Sequence, residues 1–306
     1  MTIRIDQVIE KIADWKGKKA VIKPVSGGLT NTNYRVLVDG NAYFVRIPGE
    51  STELLAVDRE NEYHNTLAAA QAGVGPRVLY YLPEDQVMVL EFINGTTMSN
   101  ESLRDPGMPS LIAQSIRKLH AGPRFKKDFD MFRLTEFYLD IVDQYEVDIP
   151  KGYPERVETV SQIERALSAN PLPAVPCNND LLAENYIYDG AKLWLIDYEY
   201  SGNNDPCFDL GNTCQELEYD EARIAEMCAA YFGEVYPDKI ARMKLFMIMS
   251  DAGWALWAAI QQKISKIEYD FWGWAIERWA RAVEKMDSPE FPTWLRDVQR
   301  VEKSVL

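Results

Sequence analysis

Between Pro176 and Gly211 the chain reads PCNNDLLAENYIYDGAKLWLIDYEYSGNNDPCFDLG, and no other stretch restricts the fold so tightly. The alternating Tyr186-Ile187-Tyr188 and the apolar run Leu193-Trp194-Leu195-Ile196, joined across Asp189-Gly190, predict two short strands and a tight turn. Oxygen-bearing side chains crowd both ends: Asn179-Asp180 and Asn185 before the hairpin, Asp197 and Glu199 after it. A hairpin this short returns its ends to one another. Asp180, Asn185 and Asp197 are therefore expected to converge on one spot, with both strands buried behind them.

That set of groups suits phosphoryl transfer from a nucleotide. The reaction needs a carboxylate to orient the attacking hydroxyl and take its proton, and an amide oxygen with a second carboxylate to hold magnesium on the phosphates. An Asp, an Asn five residues later and an Asp opening the next segment follow the kinase order of catalytic loop and metal-binding turn. Taken singly, Asn-Asp and Asp-Gly are ordinary loop residues; it is the hairpin joining them that gives the pattern its meaning.

NDLLAEN followed by LIDYEYSGNNDPCFDLGN resembles the choline/ethanolamine kinase family, part of the aminoglycoside-phosphotransferase-like, protein-kinase-like superfamily. The resemblance spans nearly the whole chain. It implies an α+β, bilobal fold, with a small antiparallel-sheet lobe over residues 1–93 and a larger, mainly helical lobe over residues 94–306. It further implies ATP and Mg as cofactors, Asp180 as the base, and Asn185 and Asp197 as metal ligands. Asp209 would brace the catalytic loop. The chain departs from the family in one place: Asn178 stands where a histidine usually precedes Asn-Asp.

Upstream, residues 5–15 place Ile5, Val8, Ile9 and Ile12 at helical spacing. AVIKPVSGGLTNTNYRVLVDGNAYFVRIPG then reads as three strands, with a glycine turn after the first and Asp39-Gly40 after the second. The turn residues Ser26, Gly27, Gly28, Thr30 and Asn31 can fold exposed N–H groups over phosphates. Arg46 in the third strand, in a VRIPG context similar to the family's, is implied to reach those phosphates. Glu62, in a helix expected over residues 56–72, matches its ion-pair partner. Glu91-Phe92-Ile93 is the expected hinge, where Glu91 and Ile93 would meet the adenine edge.

From Pro109 onward apolar residues recur at helical steps. The last third is rich in aromatics, and three- to four-residue spacing of aromatics usually marks core packing. A quaternary ammonium, however, is held by ring faces with a carboxylate. GWALWAAIQQKISKIEYDFWGWAIERW is similar to the family's C-terminal segment, which implies substrate contacts at Trp254, Trp257 and Trp274, with Tyr219 from the helix after the Phe-Asp-Leu-Gly-Asn motif. Glu199 or Asp251 would supply the negative charge.

Composition narrows the partners. The 306 residues carry a formal charge of −14, which repels nucleic acid and suits a small cationic amino-alcohol. Four cysteines without a CxxC pair, remote in sequence from both histidines, argue against a zinc site or disulfides and for a reducing cytoplasmic setting. The first residues lack an apolar signal core, and FMIMSDAGWALWAAI, interrupted by Asp251 and Gly253, is expected not to insert in a membrane. A homodimer is compatible with the sequence. Choline is the first-choice acceptor and ethanolamine the second; the rival readings are a related kinase for thiamine or an aminoglycoside-like amine, and a catalytically silent nucleotide-binding module.

Overall fold

A computed structural model of the chain describes residues 3–25, 28–49 and 52–300. Ser26 and Gly27 of the expected glycine turn lie outside the described residues.

Strands β1 (Ala20–Val25), β2 (Asn31–Val38) and β3 (Asn41–Pro48) are joined by β4 (Val78–Leu82) and β5 (Val87–Glu91) in an antiparallel sheet of order β1-β2-β3-β5-β4. Asp39 and Gly40 both take positive φ, 50° and 80°, as a two-residue hairpin requires, and this sets Val38 opposite Asn41. Period-two alternation sends Val36, Val38, Val45, Ile47, Val87 and Val89 to one face. There Val8 of α1 (Ile5–Lys11), Ile12 and Trp15 close a small core. The other face, bearing Phe44 and Arg46, looks into a cleft.

Helix α2 (Arg59–Gln71) begins where the Asp58 carboxylate accepts the N–H groups of Glu60 and Asn61. It starts three residues later than expected from the sequence, because Ala56 is in left-handed backbone with φ 60°. After the two-residue strand β6 (Thr96–Thr97) come α3 (Asn100–Leu103), α4 (Met108–His120), α5 (Met131–Tyr145) and α6 (Val157–Ser168). The stretch singled out in the sequence supplies β7 (Val175–Cys177), the hairpin β8 (Tyr186–Tyr188) and β9 (Leu193–Leu195), and β10 (Gly202–Asn204). Pairing of β7 with β10 closes the base of this unit, and β6 adds to the edge of β8. Helices α7 (Pro206–Glu216), α8 (Glu221–Phe232), α9 (Pro237–Ile264), α10 (Phe271–Met286) and α11 (Phe291–Asp297) complete the fold. A sheet lobe followed by a helical lobe is the α+β arrangement the sequence led us to expect.

The large core is organised on α9, which packs against α5, α7, α10 and α11. This helix is long and apolar enough to cross a bilayer, and its apolar window is wholly enclosed by protein. Asp251 and Gly253, which interrupt its apolar run in the sequence, both lie inside this one continuous helix. Asp251 is neutralised by Arg278 and Arg281, and Gly253 lies so close to Met131 that a Cβ there would fall 2.1 Å from Sδ. Both residues serve close packing of an unbroken helix.

Candidate active site

The loop carrying Asp180 is held by α7. Asp209, fully buried, accepts the N–H groups of Asn178 (2.9 Å) and Asn179 (2.7 Å), while Asn212 accepts that of Leu181 (2.7 Å). Asn179 sits at φ 69°, a backbone an asparagine tolerates, and its amide reaches back to the Tyr200 carbonyl. His120, the last residue of α4, bonds Asp209 through Nε2 (3.0 Å) and the Tyr231 hydroxyl through Nδ1 (2.7 Å). Cys177 lies 3.5 Å from the same imidazole, although 57 residues separate the two in sequence. This buried cluster is the foundation of the loop.

Asn178 joins the two halves of the site. Its amide donates to the carbonyls of Ile196 (3.2 Å) and Asp197 (2.8 Å) and accepts the Asp180 N–H (3.1 Å). Asn185 spends its NH2 on the Asp180 carbonyl (2.6 Å), which leaves its amide oxygen as the atom available to a ligand. Asp180, Asn185 and Asp197 all face one cavity of about 530 Å³, so the sequence-predicted trio does come together.

Arg46 grips Asp197 with both ends of its fork, 2.7 Å each, and donates to Glu62 at 2.6 Å. Burial works against the Arg46 charge, but Asp197 and Glu62 outweigh it and hold the guanidinium firmly protonated. Glu62 also accepts from Arg59 (2.8 Å), which in turn reaches Glu199 (3.0 Å). Thr30 and Asn31, expected to face phosphates, direct their side chains to Glu199 (2.8 and 3.0 Å). The turn end is thereby fastened to the helical lobe, and Glu199 closes the cleft as well as lining it.

A second cavity of about 400 Å³ shares Gly28, Glu184, Asn185 and Asp197 with the first. Arg46, Met88, Leu90, Glu91, Phe92 and Ile93 also line it. Glu91 donates its own N–H to the Arg77 carbonyl (2.9 Å), and its carboxylate accepts from Arg77 Nε (2.8 Å).

Around the first cavity stand Tyr200, Trp254, Trp257, Tyr269 and Trp274. Tyr200 and Trp254 meet edge to face at 4.8 Å, Trp257 and Trp274 at 5.4 Å, and the Trp257 indole donates to the Tyr200 hydroxyl at 2.7 Å. One face of Trp274 is already taken by Arg278, whose guanidinium lies 4.0 Å from the ring centre and forks onto Glu216 (2.5 and 2.8 Å). Two sequence expectations need correction. Tyr219 follows the end of α7, turns its hydroxyl to the Leu103 carbonyl (2.6 Å) and lines a different cavity. Asp251 is spent on Arg281, Arg278 and Gln215. The carboxylate that does reach the aromatic cavity from α7 is Glu216, which the sequence reading missed together with Tyr200, Tyr269 and Arg278. An acidic residue in the last position of α7 was the available signal.

The excess of carboxylates shapes the chemistry. Burial, followed by the charges of Asp197, Glu199 and Glu216, pushes the Asp180 carboxyl well above the usual range; burial and Asp197 also raise that of Glu199, against the pull of Arg59 and Arg46. Hard oxygen donors crowded beyond what Arg46, Arg59 and Arg278 neutralise suit a divalent cation on one side and an organic ammonium on the other.

Comparison with known proteins fits this geometry. The profile of the choline/ethanolamine kinase family matches residues 22–238. Mouse (Mus musculus) ethanolamine kinase 2 is 30% identical over 295 residues, covering 86% of this chain and 76% of that protein. A crystal structure of a choline/ethanolamine kinase family protein from Mesorhizobium loti is 34% identical, with a TM-score of 0.85 over 96% of this chain and 98% of that one. LicA, solved in complex with AMP, is 25% identical with a TM-score of 0.75, covering 92% and 97% of the two chains.

Proposed function

Because the chain belongs to the choline/ethanolamine kinase family, and is thus a phosphotransferase, we propose that it moves the γ-phosphoryl group of ATP to the hydroxyl of choline. The reading rests on one observation: Asp180, Asn185 and Asp197 line the aromatic cavity together, and Asn185 and Asp197 line the hinge-side cavity as well. The nucleotide would enter on the side of Glu91 and Ile93, meeting the Glu91 carbonyl and the Ile93 N–H, with its phosphates toward Arg46 and the backbone of the glycine turn.

Asn185 and Asp197 would hold Mg, which when bound neutralises phosphate oxygens and aligns the γ-phosphorus for in-line attack. Arg46 now occupies both oxygens of Asp197, so nucleotide entry has it share that carboxylate and turn donors to the phosphates. Asp180 orients the acceptor hydroxyl and takes its proton as the O–P bond forms and ADP leaves. Trp254, Trp257 and Trp274 receive the ammonium, with Glu199 as its counter-charge and Glu216, held by Arg278, adding to the negative field. Glu62 steadies Arg46 from behind.

Ethanolamine is the second reading, favoured by the carboxylates of Glu199 and Glu216, which can accept hydrogen bonds from a primary ammonium. ADP release measured with choline, ethanolamine and thiamine decides the matter. Turnover is expected with choline or ethanolamine. Activity on thiamine alone would overturn the acceptor assignment, and inactivity on all three would overturn the proposal.

A further inference from the structure

The nucleotide-side cavity carries two cations that the mechanism leaves unused. Arg35 in β2 pairs directly opposite Lys23 of β1 on one side and Phe44 of β3 on the other. Both Lys23 and Arg35 line the cavity. Like charges opposed across a ladder repel, and among the described residues neither has an ion-pair partner, although acidic residues outnumber basic ones 47 to 33. Arg35 Nε is buried with no hydrogen-bond partner among the described residues. Its guanidinium instead lies over the Phe92 ring, 4.6 Å from the centroid, in the hinge segment.

Position along the sheet says which part of a nucleotide this group meets. Phe44, the register partner of Arg35, is two residues before Arg46 on the same face of β3. With about 3.4 Å per residue along β3 and about 4.8 Å between strands, the Arg35 backbone stands roughly 8 Å from that of the phosphate-holding arginine, on the hinge side. A planar guanidinium at that distance is beyond the γ-phosphate and level with the nucleoside. Arg stacks on flat π faces and keeps its donors in the plane.

We propose that Arg35, supported by Lys23, is a specificity residue for the phosphoryl donor, stacking its guanidinium on the face of a purine base inserted beside Phe92. The inference deepens the nucleotide reading of the cleft and rests on it. A purine offers the larger surface to such a plane, so purine triphosphates are preferred donors over pyrimidine ones.

The test compares binding of ADP, adenosine and inorganic tripolyphosphate to the full-length wild type, Arg35→Met and Arg35→Lys, by calorimetry and NMR titration. Arg35→Met keeps the length and removes the charged plane; Arg35→Lys keeps the charge and removes the plane. The expected result is a five- to tenfold loss for both adenosine and ADP in each variant, with tripolyphosphate binding within twofold of wild type. Adenosine binding unchanged in both variants, or tripolyphosphate weakened as much as ADP, overturns the proposal. Failure of the wild type to bind ADP would instead refute the nucleotide reading, and this inference with it.

Discussion

Asn178 replaces a histidine usual in the family, and the structure converts that departure into a measurable expectation. Its amide makes three hydrogen bonds, to the carbonyls of Ile196 and Asp197 and from the N–H of Asp180, and the side chain is fully buried. A net contribution of about 1 kcal/mol for each bond gives about 3 kcal/mol for Asn178→Ala. In a chain of this size that lowers the thermal midpoint by about 5 °C. The kinetic effect comes from geometry. The bonds tie the backbone of Asp180, the proposed base, to that of Asp197, the proposed metal ligand, and a shift of about 1 Å between reacting groups can cost about 100-fold in rate. Asn178→Ala should therefore lower kcat by 10- to 100-fold while leaving the KM for the acceptor within threefold. Asn178→His, with one donor and one acceptor nitrogen in its neutral form, can restore two of the three links and should retain kcat within tenfold of wild type. Thermal unfolding and initial-rate kinetics on the three proteins test the chain of argument. An Asn178→Ala variant with wild-type kcat and midpoint would show that the amide braces nothing.

Other substitutions probe separate parts of the account. Glu62→Ala leaves Arg46 and Arg59 buried without their shared carboxylate; a loss of roughly 3–5 kcal/mol in urea unfolding is expected, with a higher KM for ATP. Trp257→Phe removes the donor to Tyr200 and part of the cavity wall, and should raise the KM for the acceptor about 5- to 20-fold with the KM for ATP unchanged. Gly253→Ala sets a methyl against Met131 Sδ and should cost about 1–3 kcal/mol, read as a lower thermal midpoint with kcat preserved. An equal effect on ATP and acceptor from Trp257→Phe, or a fully stable Gly253→Ala, would contradict the packing described.

Features carried by local pattern were readable from the chain. The hairpin between Tyr186 and Leu195 and the turn at Asp39-Gly40 depend on alternation and turn chemistry within a few residues, and both appear in register. The convergence of Asp180, Asn185 and Asp197 followed from the hairpin alone. What stayed hidden depends on contacts distant in sequence. His120, Cys177 and Asp209 come from three separate elements, so spacing could not unite them. The resemblance implies Tyr219 on the helix after the Phe-Asp-Leu-Gly-Asn motif, but α7 ends at Glu216, and beyond that end the backbone no longer follows the helix. The aromatic wall was visible as a cluster of tryptophans; that Arg278 occupies one face of Trp274 required knowing where α10 packs.

The central claim is that Asp180 takes a proton from an acceptor hydroxyl as phosphate leaves ATP. The most direct measurement is the rate of phosphomonoester formation, followed by ³¹P NMR with ATP, Mg and either choline or ethanolamine, for the wild type and Asp180→Asn. Product is expected from the wild type, and a rate at least 100-fold lower from the variant, with ADP affinity preserved. Product formed by Asp180→Asn at a rate within tenfold of wild type would contradict it.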